Sequence, residues 1–340
     1  PTYRIKEQPE MSVEKHYTKL NIERYGGMIP ETWFDRPLSV AGRIIIEENG
    51  QIKDQLVNID RDLMIIPNLA IHMSRSSNES KQLNPQKDLL PLCGGNLTKD
   101  GFEEMIAKES DVEKEDILSY DLFLYNRMRG TTLGINEEFV AAPKLDDLEC
   151  AYSSIEGMLN AKLSKDYVTV CAVFDNEEVG SGTKQGAGST FFPEVLKRIS
   201  YLCGKNEEEY YMAVADSFML SADNAHAVHP NYQDKTDPTN RPYINEGIVL
   251  KYNASQKYTT DANSAALVKY LCKKEKIRCQ VFFNRSDMLG GSTLGNILTG
   301  QVSIKAADIG LPQLAMHSPY ETAGVKDTCD FVKLAGVFYA

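Results

Sequence analysis

The spacing of apolar residues changes near residue 134, from a β-like pattern to alternating strand and helix patterns. Beyond this point, helical spacing predicts helices at 148–159, 193–203, 206–221 and 262–275, with a further helix entered through 290–294. Apolar runs predict strands at 167–174, 247–252 and 279–284. Strands that alternate with helices at this spacing predict an α/β domain whose sheet is mainly parallel and covered by helices.

The first part of the chain has a pattern typical of β structure. Residues 38–46 are strand-like, and the Asn-Gly pair at 49–50 suits the positive φ angles of a type I′ hairpin turn. Residues 117–125 alternate polar and apolar side chains over part of their length, as strands do. We therefore predict a β-rich domain at 1–133, followed by the α/β domain at 134–340.

Acidic residues follow the apolar run at 167–174. Three carboxylates lie within four residues, at Asp175, Glu177 and Glu178, and a glycine-rich turn comes next. In open α/β sheets, sites are built at the carboxyl ends of strands. Carboxylates held there would repel one another and be costly to desolvate, and a divalent cation would cancel that repulsion. The alternative is a solvated acidic loop.

Two later segments add histidines and another acid. Asp223, His226 and His229 lie close together at the end of a predicted helix, and His317 follows a Gly-Leu-Pro turn. A lone His317 would ordinarily be a core or surface histidine. Together with the glutamates and Asp223, it completes a mixed histidine and carboxylate set that suits zinc.

Two further polar residues lie at positions where chemistry is possible. Asp146 lies at a predicted strand-to-helix junction, where an aspartate is commonly an N-cap. Lys251 lies within an apolar strand, so it either reaches solvent at an edge or holds an anion.

Composition and charge narrow the classes of function. The chain has 340 residues and a formal net charge of −11, which argues against nucleic acid or an anionic membrane surface as the main partner. No apolar run approaches the ~20 residues of a membrane span. The seven cysteines are dispersed, with no Cys-x-x-Cys spacing, which predicts reduced thiols and a cytoplasmic location.

Several motifs together resemble the aspartyl aminopeptidases. The three central ones are Asp-Asn-Glu-Glu-Val-Gly-Ser at 175–181, Ser-Ala-Asp-Asn-Ala-His-Ala-Val-His-Pro-Asn at 221–231 and Met-His-Ser at 316–318. Further matches lie at 25–36, 67–72, 144–147 and 291–295. The resemblance covers nearly the whole chain in the family's order. It implies a two-zinc metallopeptidase that assembles as a tetrahedral dodecamer, with the β-rich domain serving dimerisation and assembly.

The resemblance also implies roles for the acidic residues and one histidine. Asp146 would bridge two Zn²⁺ ions, with Glu178 and His317 as ligands of one ion and Asp223 as a ligand of the other. Glu177 would be the general base that accepts a proton from the attacking water. The residue types alone do not say which of the adjacent glutamates binds metal.

Substrate contacts are implied for His72, His226 and Lys251. His72 would reach the active site of a neighbouring subunit, and Lys251 would meet an acidic substrate side chain. The family also has a cis peptide bond after the residue equivalent to Asp146, and it usually has Asn where this chain has Asp147.

The expected activity is hydrolysis of the N-terminal residue, Asp or Glu, from peptides. Departures from the family pattern at Met28, Pro37 and Asn296 bear on this preference and leave the metal residues unchanged. Residues 1–6 resemble the segment that follows a family His-x-Asp-Ser sequence, so a further histidine ligand is expected before Pro1. The alternatives are another two-zinc hydrolase, such as a deacylase or carboxypeptidase, and a non-catalytic assembly protein with a damaged site.

Overall fold

The chain forms two units, each with its own β-structure and apolar core. The computed structural model describes residues 1–73, 82–97 and 99–340. The first unit comprises Pro1–Arg129 with His317–Tyr320, and the second comprises Gly130–Met316 with Glu321–Ala340. No helix in the described part of the chain is long and apolar enough to cross a membrane. The roles assigned to the two predicted domains stay predictions.

A six-stranded antiparallel sheet dominates the first unit, in the order β4-β3-β6-β1-β2-β5. Its strands are β1 (Thr2–Val13), β2 (Tyr17–Tyr25), β3 (Leu38–Glu48), β4 (Gln51–Asn58), β5 (Leu92–Gly94) and β6 (Ile117–Asn126). The helices are α1 (Pro85–Asp88) and α2 (Gly101–Ser110). This arrangement confirms the prediction that the unit is rich in β structure.

The β3–β4 hairpin and one aromatic pair show how the sequence specifies this unit. Asn49 and Gly50 have φ angles of 55° and 76°, and Glu48 pairs with Gln51 across the turn, as the Asn-Gly signal predicts. In the core, the Tyr3 ring packs edge-on against Trp33 with ring centroids 5.0 Å apart. Edge-to-face contact is a favoured geometry for buried aromatic rings.

The second unit contains a four-stranded sheet in the order β12-β11-β13-β9. Two of its three strand pairs, β11–β12 and β13–β9, are parallel. A five-stranded sheet, β10-β14-β15-β8-β7, lies in the same unit. The strands are β7 (Thr131–Leu133), β8 (Phe139–Ala142), β9 (Phe218–Ala222), β10 (Ala225–His226), β11 (Ile248–Tyr252), β12 (Cys279–Phe283), β13 (Lys305–Gly310), β14 (Pro312–Leu314) and β15 (Glu321–Gly324).

Helices pack against these sheets and complete the α/β architecture that the alternating pattern predicts. They are α3 (Leu145–Asn160), α4 (Phe191–Leu202), α5 (Glu207–Asp216), α6 (Ala262–Glu275), α7 (Leu294–Thr299) and α8 (Val325–Tyr339). The main core joins residues of α3, α6 and α8 to β11 and β13, including Val268, Phe331 and Leu334. A helix-covered sheet buries apolar side chains on its faces, which is why its central strands have near-continuous apolar sequences.

Two predicted elements are wrong in detail. Residues 167–174 form no strand, although all of them are described, and Tyr167 and Val168 are 78% and 62% exposed. An apolar, β-branched sequence favours extended backbone, but a strand also needs a neighbouring strand to pair with. The helix predicted at 206–221 ends at Asp216, and β9 begins two residues later, so Asp223 follows a strand.

Helices α3 and α8 approach closely at two glycines. A Cβ added at Gly157 would overlap the Cβ of Ala335 and come within 3.0 Å of the Val332 carbonyl oxygen. A Cβ added at Gly336 would lie 3.5 Å from the Gly157 carbonyl oxygen, an ordinary contact. The two helices therefore require a glycine at 157 but not at 336.

We expect Gly157→Ala to lower the free energy of unfolding by about 1–3 kcal/mol, because overpacking outweighs the gain in helix propensity. The matched control is Gly336→Ala, which lies in the same helix pair and should match or exceed the stability of the parent chain. Urea unfolding of the three proteins measures the difference. Equal stability of the two variants would contradict the close packing at Gly157.

Candidate metal centre

Two consecutive aspartates lie in the first turn of α3. Asp146 and Asp147 have non-helical backbone angles, and the peptide bond between them is cis, as the resemblance implies. The backbone N–H of Asp146 donates a hydrogen bond to Oε2 of Glu321, over 2.9 Å. Glu321 is itself 1% exposed. The start of α3 is therefore tied to β15, which fixes the backbone from which both aspartate side chains project.

Asp223 directly follows β9, at the carboxyl end of that strand. Its backbone N–H donates to the Ile309 carbonyl oxygen over 3.1 Å, which continues the pairing with β13. Burial raises the pKa of Asp223 to about 6; the nearby ammonium of Lys251 opposes this rise, and the charge of Asp146 adds to it. The carboxylate therefore lies where negative charge is costly without a cation.

Lys251 lies on β11 and is 2% exposed. Its Nζ donates to the Asn224 carbonyl oxygen over 2.8 Å and lies 3.4 Å from Oδ2 of Asp223. Burial by itself lowers the pKa of Lys251, but the charge of Asp223 contributes to a net rise. The sequence left two interpretations of this lysine, a solvent-exposed position at a sheet edge or contact with an anion. In the structure the side chain is buried and contacts the Asp223 carboxylate.

Glu177 and Glu178 lie in a short 3-10 helix, Glu177–Val179, that is enclosed by tight turns. Asn176 and Gly180 on either side have φ angles of 61° and 97°. Gly180 N–H donates to the Glu177 carbonyl oxygen over 2.8 Å, and Ser181 N–H donates to the Asn176 carbonyl oxygen over 2.9 Å. These hydrogen bonds hold the acidic loop in its conformation, although residues 167–174 before it form no strand.

The pKa of Glu177 is affected by the charges of several other acidic residues. Burial raises the pKa of Glu177 to about 7, and the charges of Asp223, Glu178 and Asp146 add to the rise. Burial also raises the pKa of Asp147 well above its ordinary value, with the charge of Asp223 as the next cause. These acids therefore share one region of negative potential.

Two sets of side chains in the second unit have the geometry of metal ligands. Ligand atoms lie within 4.8 Å of one another in Asp146 and Glu178, and likewise in Asp146, Asp147 and Asp223. Asp146 belongs to both sets. Carboxylate oxygens are ligands that zinc accepts. In addition, Oδ1 of Asp147 is buried and has no hydrogen-bond partner among the described residues. The donor atoms therefore fit a cation.

The structure thus groups two of the predicted metal residues, Glu178 and Asp223, around Asp146 and adds Asp147. His317 belongs to the first unit, and its role as a ligand stays a prediction. In the sequence, Asp147 is a departure from the family's usual Asn and has no implied role. The available signal was the Asp-Asp pair itself, since two adjacent acids before a helix increase local negative charge. The contact from Asp146 to Glu321 joins residues far apart in the sequence, so no local pattern could have indicated it.

The predicted substrate residues lie in three different elements. His226 is exposed on β10, and its ring centroid lies 6.3 Å from that of Phe282. His72 is exposed in a short 3-10 helix, Ile71–Met73, of the first unit. Lys251 is directed towards Asp223, as described above. His229, by contrast, accepts a hydrogen bond from Asn231 N–H over 3.1 Å within its own turn.

Comparison of the sequence with known proteins gives consistent matches. Residues 1–339 match the family described as aminopeptidase I zinc metalloprotease (M18). The chain is 48% identical over 348 residues to a probable M18 family aminopeptidase 2 of Clostridium novyi (strain NT), covering 100% of this chain and 79% of that protein. A Pseudomonas aeruginosa (strain UCBPP-PA14) protein with the same description is 37% identical over 346 residues, with the same coverage.

Solved structures agree with the sequence matches. A chain in the cryo-EM structure of an Ape4 and Nbr1 complex superposes with a TM-score of 0.94 and 35% identity, over 99% of this chain and 69% of that chain. The mApe1 dodecamer of S. cerevisiae gives a TM-score of 0.83 and 27% identity, over 99% of this chain and 76% of that one. Family, fold and ligand geometry therefore agree, and the chain belongs to the M18 family of zinc metallo-aminopeptidases.

Proposed function

We propose that this chain removes the N-terminal residue of peptides with two Zn²⁺ ions per subunit that share Asp146. The observation that carries this proposal is the membership of Asp146 in both sets of potential ligands. Glu178 and His317 would complete one set, and Asp223 the other, with Asp147 beside it. Zinc as the metal is supported by the description of the matched family.

When bound, zinc acts as a Lewis acid that polarises the peptide carbonyl and makes water more acidic. The remaining chemistry belongs to the side chains. Glu177 accepts a proton from the attacking water on a carboxylate oxygen and passes it to the leaving amine nitrogen. Its place beside Glu178, and the electrostatic influence of Asp223 and Asp146 on it, support this role. Lys251 holds the Asp223 carboxylate through its ammonium group.

An aminopeptidase also recognises a free α-ammonium group, which the carboxylates around Asp146 are suited to bind. We assign substrate contact to His72, His226 and Lys251, and a preference for Asp or Glu at the N-terminus. Because the Lys251 ammonium already contacts Asp223 and Asn224, a substrate carboxylate would have to share it with them.

We further propose that the chain acts as a cytoplasmic homo-oligomer, a dodecamer built from dimers, with the first unit as the dimerisation and assembly domain. The mApe1 structure described as a dodecamer, which has the same fold, supports this proposal. In such an assembly, His72 would contact substrate in a neighbouring subunit, and its exposed position on the first unit is compatible with that role.

Zinc content and peptide specificity test the proposed function directly. We expect two zinc ions per chain and release of N-terminal residues from a panel of Asp-, Glu-, Leu- and Lys-peptides, fastest for Asp or Glu. Metal analysis and chromatography of the released amino acids provide the two measurements. Two zinc ions with a different preference would keep the mechanism and remove the specificity. Absence of both zinc and cleavage would contradict the proposal.

Glu177→Gln tests the general base. We expect zinc content to be unchanged and kcat to fall by about 10²–10⁴-fold, because the amide keeps the shape of the side chain but cannot accept the proton. The control is Glu194→Gln, which neutralises an exposed glutamate on α4 and should leave kcat at its original value. Full activity of the Glu177 variant would remove it from the role of base.

His72→Phe tests the proposed contact between subunits. We expect kcat to fall while zinc content and oligomeric mass stay unchanged, since the imidazole is lost far from the ligand residues in sequence. His16→Phe is the control, because His16 is also an exposed histidine of the first unit. Steady-state kinetics and light scattering give the measurements. Identical kinetics for the two variants would exclude His72 from the site.

A further inference from the structure

We propose that Asn224 is a positioning residue that connects the Asp223 backbone to the helix carrying Asp146, and so holds the carboxylates of Asp146 and Asp223 at ligand distance. This inference rests on the proposed function, because it concerns the same metal centre. The Asn224 side-chain oxygen accepts from Cys150 and its nitrogen donates to Gln313 and Glu149, so we assign it no ligand role. It acts through the residue that precedes it.

The backbone around Asn224 belongs to the Asp223 segment. Asp223 N–H and Ala225 N–H donate to the carbonyl oxygens of Ile309 and Leu311, over 3.1 Å and 2.8 Å. The Asn224 carbonyl oxygen accepts the hydrogen bond from Lys251 Nζ. Displacement of Asn224 would therefore move Asp223 with it and disturb its contact with Lys251.

The side-chain amide of Asn224 is buried, at 3% exposure, and uses both its donor and its acceptor atoms. Oδ1 accepts from the Cys150 thiol over 2.8 Å. Nδ2 donates to Oε1 of Gln313 over 2.7 Å and to Oε2 of Glu149 over 3.2 Å. Turning the amide over would place its oxygen against the Glu149 carboxylate, so the contact with Glu149 favours this orientation.

Two of these partners lie on α3, one turn after Asp146. Glu149 and Cys150 follow Asp146 in the same helix, and the other carboxylate oxygen of Glu149 accepts from Thr328 Oγ1 of α8 over 2.7 Å. The Asn224 amide is therefore a direct polar link between the element that carries Asp146 and the segment that carries Asp223.

Such a link opposes a specific force. The ligand atoms of Asp146, Asp147 and Asp223 lie within 4.8 Å of one another, and carboxylates at this separation repel one another strongly when buried. Without a connection between the two segments, separation would relieve the repulsion and widen the ligand set. If Asn224 only stabilised the core, its loss would lower stability and leave metal affinity unchanged. If it positions the aspartates, its loss would also lower metal affinity, so the two explanations can be distinguished.

The test measures zinc affinity and stability together. In Asn224→Leu, an apolar side chain of similar size removes the amide. We expect zinc affinity, measured by competition with a chromophoric chelator on the full chain, to fall by about 10–100-fold, the usual effect of losing a group that orients a ligand. Urea unfolding of the zinc-free proteins records the accompanying loss of stability.

Ser153→Ala is the matched control. Ser153 is also buried on α3, and its hydroxyl donates to the Glu149 carbonyl oxygen over 2.7 Å. We expect this variant to keep the zinc affinity of the parent chain. If Asn224→Leu likewise keeps that affinity, the inference is overturned while the proposed function stands.

Two other results would also have a defined meaning. If Asn224→Leu does not fold, Gln313→Met decides the question, since it removes one partner of the Asn224 amide; a lowered zinc affinity supports the inference, and an unchanged affinity overturns it. If the parent chain binds zinc but cleaves no peptide, the proposed function fails, and the affinities of the variants still decide the role of Asn224.

Discussion

The concentration of negative charge around Asp146 is the constraint on which the second unit depends. Three aspartates bring oxygen atoms within 4.8 Å of one another, and burial raises the pKa of Asp223 to about 6. Such an arrangement is unfavourable in itself, so the surrounding structure has to maintain it. Three features help to maintain it. They are the cation of Lys251, the hydrogen bond from Asp146 N–H to Glu321 and the close packing of α3 on α8. Bound zinc would convert the repulsion into coordination.

Local patterns predicted those parts of the fold that depend on local sequence. Helix α6 and strands β11 and β12 agree closely with predictions at 262–275, 247–252 and 279–284, because their periodicity extends over the whole element. The strand predicted at 167–174 was wrong because strand formation depends on a paired neighbour. The five-stranded sheet contains strands of only two to four residues, which are too short to give a periodic signal.

The candidate site, like the fold, could be predicted only in part from the sequence. Glu178, Asp223 and His317 could be named from motifs, since each lies in a short sequence of distinctive composition. The roles of Asp147 and Asn224 could not, because they arise from contacts between segments distant in sequence. A motif identifies which residue types are present, whereas the three-dimensional network determines which of their atoms are free to bind a ligand. Polar groups that orient other residues have no characteristic sequence pattern of their own.

The sharing of Asp146 between two ligand sets has a thermodynamic consequence. Two cations that use one carboxylate cannot bind independently, because the first changes the charge and the orientation of a ligand needed by the second. By linkage, the factor by which occupancy of one position alters affinity at the other is the same in both directions. If two ions bind as proposed, the centre would be a single coupled unit, and a chelator that removes one ion would also change how tightly its neighbour is held.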